Sequence, residues 1–156
     1  MRGSIGWGLV DVERRGGIAG DIRTRRALWN GSLEYQYEAG LFALRVSRDV
    51  FPTATGTLAQ VDRAALEWSR KLTETLTLGI AGAAYRTRFG GLATTGTNSN
   101  YYQFEPRLSW LATPEWLLGL GYNYQRITYR ADPPDATGNA VYFTASYTWP
   151  KRDLFR

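Results

Sequence analysis

This sequence predicts an all-β chain folded as an antiparallel, up-and-down β-barrel that spans a membrane, and three observations carry that prediction. Segments of about ten residues alternate between large apolar and small or polar side chains, the period of two that belongs to a pleated strand. Clusters of Gly, Pro, Asp, Asn and Thr punctuate these segments. No stretch holds the 3.6-residue apolar period of an amphipathic helix.

The first strand is expected over Ser4 to Glu13, with Ile5, Trp7 and Leu9 opposing Gly6, Gly8 and Val10. A basic connection follows from Arg14 to Arg26. The second strand, Leu28 to Glu38, sets Trp29, Gly31, Leu33, Tyr35 and Tyr37 against Asn30, Ser32, Glu34, Gln36 and Glu38. Ala39-Gly40 is a tight hairpin signal, and the third strand places Phe42, Leu44 and Val46 opposite Ala43, Arg45 and Ser47. Arg48 to Ala59, with Pro52 and Gly56, reads as a loop. The fourth strand, Gln60 to Arg70, sets Ala64, Leu66 and Trp68 against Arg63, Ala65, Glu67 and Ser69.

A polar turn at Lys71 to Thr75 precedes the fifth strand, where Leu76, Leu78, Ile80, Gly82 and Ala84 oppose Thr77, Gly79, Ala81, Ala83 and Tyr85. Gly90 to Asn100 is loop-like. The sixth strand puts Tyr102, Phe104, Pro106, Leu108 and Trp110 opposite Gln103, Glu105, Arg107 and Ser109. Pro106 removes a ladder donor and predicts a bulge or a sheet edge there. After the turn Ala112 to Glu115 comes the cleanest alternation of all. Trp116, Leu118, Leu120, Tyr122 and Tyr124 rise on one face, and Val141, Phe143, Ala145, Tyr147 and Trp149 descend. The loop between them holds Asp132 to Asp135 and Gly138-Asn139, and Pro150 to Arg156 is a short tail.

About eight strands result, joined by connections that alternate long and short, so a meander gathers all short turns at one end, as in outer-membrane barrels with short periplasmic turns and long extracellular loops. At 156 residues the chain is one barrel domain, or the C-terminal segment of a larger one. Hydrophobic residues make up 44% of it, yet no apolar run is long enough for a transmembrane helix. Met1-Arg2-Gly3-Ser4 enters the strand pattern at once, so an export signal is expected outside this chain. The net charge of +5 is spread over strands and loops rather than gathered on a helix, which argues against nucleic acid.

A soluble lipocalin-like barrel would alternate too, with its apolar side inward. Three features favour the inverted arrangement. Small residues stud the polar face, as a crowded lumen requires. Opposite charges share that face, Glu67 with Arg63 and Glu105 with Arg107. Trp68, Trp110, Trp116 and Trp149 gather near short turns or the C-terminus, and Tyr85 and Tyr124 lie toward the opposite rim, as in an interfacial aromatic girdle. The lumen-lining set is then Glu34, Gln36, Arg45, Arg63, Glu67, Gln103, Glu105, Arg107, Asn123 and Gln125.

Four stretches carry a resemblance: Phe42 to Asp49 (FALRVSRD), Leu66 to Tyr85 (LEWSRKLTETLTLGIAGAAY), Leu118 to Arg126 (LGLGYNYQR) and Val141 to Trp149 (VYFTASYTW). They resemble the bacterial outer-membrane β-barrel porins associated with exopolysaccharide or capsule export. The resemblance implies an outer-membrane location, a polysaccharide substrate, and a chain that forms the C-terminal part of a longer barrel. It also implies that Val141 to Trp149 is the closing strand read by the outer-membrane assembly machinery. The usual terminal aromatic would be Trp149, with Phe155 as the alternative end.

No catalytic constellation stands out. With neither histidine nor cysteine, imidazole acid–base chemistry, thiol nucleophiles and the usual zinc ligands are absent, and no cofactor is expected. Asp132 and Asp135 are better explained as turn formers than as a catalytic pair. The expectation is a passive pore or export channel. The alternatives are a small plugged barrel with a structural, partner-binding or lipopolysaccharide-binding role, and a soluble ligand-binding barrel. Arg23, Arg25 and Arg26, in the first long connection, are the candidate contacts for lipopolysaccharide phosphates.

Overall fold

A computed structural model of the chain describes residues 1–14, 22–52, 58–90, 98–130 and 134–149, the side chains of 11–25 and 90 excepted. Eight strands run in chain order: β1 (Arg2–Arg14), β2 (Ile22–Tyr37), β3 (Gly40–Pro52), β4 (Leu58–Lys71), β5 (Leu76–Gly90), β6 (Ser99–Leu111), β7 (Trp116–Tyr129) and β8 (Ala136–Tyr147). They form one sheet in which each strand pairs antiparallel with its neighbour in sequence. Among the described residues no pairing joins β1 to β8, which leaves one edge of each unpaired.

Residues facing one another across an antiparallel pair share a face, so the pairing decides which side chains meet. Phe42 stands between Tyr35 and Trp68, Leu44 between Leu33 and Leu66, and Val46 between Gly31 and Ala64. The same parity continues through Ile80, Pro106 and Phe104 to Leu120 and Phe143. One face is therefore apolar across all eight strands, and the other carries the small and polar residues. A slip of one residue in any pairing would exchange the two.

Two of the three short turns are held by threonines. The Thr73 hydroxyl accepts the backbone N–H of Thr75 and of Leu76, at 3.3 and 3.0 Å, while Leu72 donates to the Leu76 carbonyl. Thr113 repeats the device, accepting from Glu115 at 3.3 Å and Trp116 at 3.2 Å. A hydroxyl that satisfies the backbone N–H groups inside the bend lets two long strands reverse over a few residues.

Several expectations are corrected. Arg48 to Ala59 is mostly strand, since β3 continues to Pro52 and β4 begins at Leu58. Arg23, Arg25 and Arg26 lie on β2 rather than in a connection, paired with Glu13, Asp11 and Val10. β8 begins at Ala136, taking in Gly138 and Asn139, and ends at Tyr147, so Trp149 stands beyond the strand. Asp132 and the tail from Pro150 fall outside the described residues. Pro106 marks neither a bulge nor an edge. β6 lies between β5 and β7, and its pairing with β7 skips Glu105 and Pro106 but resumes at Arg107↔Gly121 in unchanged register. Without an N–H the proline cannot make its rung, and the flanking rungs keep the strands aligned.

The hairpin at Ala39-Gly40 depends on a close approach. A Cβ on Gly40 would collide with the Ser69 carbonyl and come within 2.7 Å of the Tyr37 hydroxyl. Tyr37 crosses β3 at this point and donates to the Ser69 carbonyl at 3.0 Å. Gly40→Val is expected to destabilise the fold by about 1–3 kcal/mol, and Tyr37→Phe by about 1 kcal/mol. Urea unfolding curves check both, and equal midpoints for wild type and Gly40→Val would contradict this role.

Candidate functional site

The polar face bears a side-chain network threaded over two glycines. A Cβ on Gly79 would stand 3.0 Å from both Cγ and Nε of Arg107. The bare backbone there lets Arg107 of β6 cross β5 and donate to Glu67 of β4 at 3.3 Å. In the same way the ring of Tyr142 lies over Gly121. Tyr142 thereby reaches from β8 across β7 and donates to Glu105 of β6 at 2.7 Å. Glu105 accepts a second bond from Asn123 at 3.3 Å and a third from Gln103 at 3.5 Å, and Gln103 accepts from Tyr101 at 3.2 Å.

Two depressions flank this network. Arg45, Glu67, Gln103, Glu105 and Arg107 surround one of about 290 Å³, floored by Ala65, Ala81 and Ala83. Ser4, Asn30, Ser32, Arg45, Ser47, Arg63 and Tyr85 line another of about 360 Å³. Arg45 and Ala65 belong to both, so they join into one polar trough across the sheet. Small residues at the floor leave room for long charged side chains along the walls, and no buried side-chain polar atom among the described residues lacks a partner.

All ten residues expected to line a lumen stand on this face, as their cross-strand partners require. The network gathers Glu67, Gln103, Glu105, Arg107 and Asn123, and Arg45 and Arg63 line the trough. Glu34 and Gln36 are exposed near the turn end, and Gln125 faces Gln103. The ion pairs differ from expectation. Arg63 meets Asp49 at 3.8 Å rather than Glu67, and Arg107 meets Glu67 rather than Glu105. Arg63 and Glu67, four apart along a strand, are about 13 Å apart, whereas Asp49 lies on the neighbouring strand, under about 5 Å away. Arg107 instead passes over the bare backbone of Gly79 to Glu67, while Glu105 accepts from Tyr142, Asn123 and Gln103. Tyr85 also lies on this face, its ring 5.6 Å from that of Tyr101, and so does not stand with the tryptophans. Sequence reasoning missed Tyr101, Tyr142 and Asp49 as members of the polar-face contacts. The glycine opposite Tyr142 was the available signal.

The other face is apolar and open. Leu120 is 53% exposed and Trp110 50%, and the edge strands show still more, with Ile5 at 92% and Phe143 at 67%. Trp68, Trp110 and Trp116 do share this face at the turn end. Trp116, Tyr147 and Trp149 form an aromatic chain there, with successive ring centroids 4.9 and 5.3 Å apart. Tyr124 stands on the same face toward the loop end, across from Phe104.

Toward the loop end the two faces exchange character. The formerly apolar face presents Arg48, Gln60, Asp62, Arg86, Arg88, Asn100 and Arg126, and the polar face presents Phe51, Ala59, Val61, Phe89 and Ile127. Ala59 and Val61 are among the few buried apolar residues of the chain. The face that is apolar over the middle of the sheet is thus polar at its loop end, and the opposite face is apolar there.

The boundary between these zones slants. Trp7, Trp29, Arg48, Asp62, Arg86, Asn100 and Thr128 are successive cross-strand partners. This single row is aromatic on β1 and β2 and polar on β3 to β7. At the turn end the aromatic limit drifts the same way, from Tyr35, Phe42 and Trp68 on β2 to β4 to Trp110, Trp116 and Tyr147 on β6 to β8. An apolar band that crosses the rows obliquely means strands tilted relative to that band, as barrel strands are.

No known family profile, curated protein or solved structure matches the chain.

Tyr142 and Glu105 are expected to be energetically coupled. Tyr142→Phe and Glu105→Gln, singly and together, should give an interaction energy of about 0.5–1.5 kcal/mol in a double-mutant cycle read by urea unfolding. Strict additivity would show that the contact across Gly121 contributes nothing.

Proposed function

We propose that this chain forms the wall of a bacterial outer-membrane β-barrel, with its apolar face toward lipid and its polar trough lining a passive or export path. The observation that carries the reading is the apolar band with its slanted limits. On β5, β6 and β7 the band runs from Leu76 to Ala84, Tyr102 to Trp110 and Trp116 to Tyr124. Each run is about nine residues, the length a tilted strand needs to cross the hydrocarbon core. Trp68, Trp110 and Trp116 at one limit, and Trp7 and Trp29 with arginines and tyrosines at the other, suit two lipid–water interfaces. The inversion of polarity beyond the arginines is what a strand requires once it leaves lipid for water.

Unpaired strand edges are untenable in hydrocarbon, so in a bilayer β1 and β8 must be covered. An eight-stranded interior is about filled by its own side chains, and Arg45, Arg63, Glu67 and Arg107 are bulky. A conducting path therefore goes with further strands between β8 and β1, whereas direct β1–β8 closure goes with a plugged, structural barrel. The polar face sets Tyr85, Tyr101 and Tyr142 beside paired acids and bases. Aromatic faces and fixed hydrogen-bonding groups together suit a hydroxyl-rich cargo such as a polysaccharide. Val141 to Trp149, exposed at the β8 edge and ending in an aromatic cluster, is the segment offered to the assembly machinery.

Reconstituted into planar bilayers, the folded protein should give stepwise single-channel conductance, and folded protein that leaves the bilayer silent would exclude the pore. The lipid-facing assignment has a separate check. Leu120→Arg should cost about 2–4 kcal/mol near the midplane and reduce insertion into vesicles. Gln125→Arg, on the trough side, should insert like wild type. Equal insertion of both variants would contradict the assignment of faces.

A further inference from the structure

Beyond the pore, the apolar face holds a feature that neither the trough nor the band requires. Gly31 leaves a gap among large side chains, and Ile5, Trp29, Leu33, Leu44 and Val46 surround a depression of about 660 Å³ there. A recess walled mainly by apolar side chains, on the face assigned to lipid, suits an acyl chain. Its loop-end wall is Trp29, and the Arg48 guanidinium sits over that indole, 5.6 Å from the ring centroid. Arg48 is held in place by Asp62, which also accepts from Gln60 at 3.3 Å. Arg86 is the direct cross-strand partner of Asp62, and Arg88 the next residue on that face. Both are exposed, and neither is in a salt bridge among the described residues.

We propose that this patch is a binding site for a membrane lipid with an anionic phosphate headgroup, the headgroup on Arg48, Arg86 and Arg88 and one acyl chain in the recess at Gly31. Three guanidinium groups face a single carboxylate, so the patch keeps net positive charge where the apolar band ends. Guanidinium groups bind phosphate oxygens in a two-pronged geometry that ammonium or amide groups do not reproduce. Asp62 and Trp29 fix Arg48 before any ligand arrives, which lowers the ordering cost of binding. The recess explains why a lipid is favoured over free phosphate: the chain adds apolar burial adjacent to the charge.

The proposal rests on the membrane reading, and the test separates the two. The full chain is reconstituted into phosphatidylcholine vesicles containing a minor fraction of phosphatidic acid. It is then extracted in mild detergent, and the lipids retained are counted by native mass spectrometry. Wild type should retain phosphatidic acid in preference to phosphatidylcholine, and Arg86→Gln/Arg88→Gln should lose that preference by about tenfold or more, at roughly 1 kcal/mol per arginine. Gly31→Leu, which fills the recess, should weaken retention of the lipid. Arg45→Gln/Arg63→Gln, in the trough, should leave retention unchanged. Insertion without any headgroup preference, or a preference equally weakened by the trough variant, overturns the site alone. Displacement of the lipid by inorganic phosphate at equal concentration overturns the role of the acyl chain. Failure to insert into vesicles of either composition overturns the membrane reading and the site with it.

Discussion

Everything in this structure depends on parity. Each strand pairs with its sequence neighbour so that, over the middle of the sheet, apolar residues face apolar partners, from Ile5 and Gly31 at one edge to Leu120 and Phe143 at the other. Backbone hydrogen bonding fixes the register, and the register fixes which side chains share a face. The polar trough and the apolar band are two consequences of one pairing scheme. Neither could be altered by a one-residue slip without destroying the other.

Glycine extends that scheme beyond nearest neighbours. Where Gly79 and Gly121 leave backbone bare, Arg107 and Tyr142 cross a whole strand to reach Glu67 and Glu105. These contacts tie strands two apart. Tyr37 does the same over Gly40, but at the turn end and toward a backbone carbonyl. Alternation of large and small residues on one face is thus a bracing device as well as a way of leaving room for water or cargo.

The strand centres were legible because there the alternation has one constant phase. Trp116 to Tyr124 and Leu76 to Ala84 could be read directly, and the threonine turns between strands fell where the polar clusters lay. The strand ends were not legible, for a physical reason. Past Val46 the apolar residues move to the opposite face, as Phe51, Ala59 and Val61 show, and a pattern whose phase reverses looks like no pattern. Arg48 thus resembled a loop residue although it is the direct ladder partner of Asp62. Side-chain pairing was also hidden, because Arg107 and Glu67 are remote in sequence and meet only through the register of β4, β5 and β6. What covers the edges of β1 and β8 is a property of strand number, which local alternation does not encode.

The central claim is that the apolar face meets lipid over the band and water beyond it. Nitroxide labels at single cysteines, Phe104→Cys and Leu120→Cys on the band, Gln103→Cys and Asn123→Cys in the trough, and Arg88→Cys past the boundary, measure this in vesicles. Collision rates with oxygen, which partitions into lipid, are compared with those of a water-soluble nickel chelate. The account predicts oxygen-dominated relaxation at 104 and 120 and nickel-dominated relaxation at 103, 123 and 88. Nickel-dominated relaxation at 104 and 120 in folded, vesicle-bound protein would contradict it.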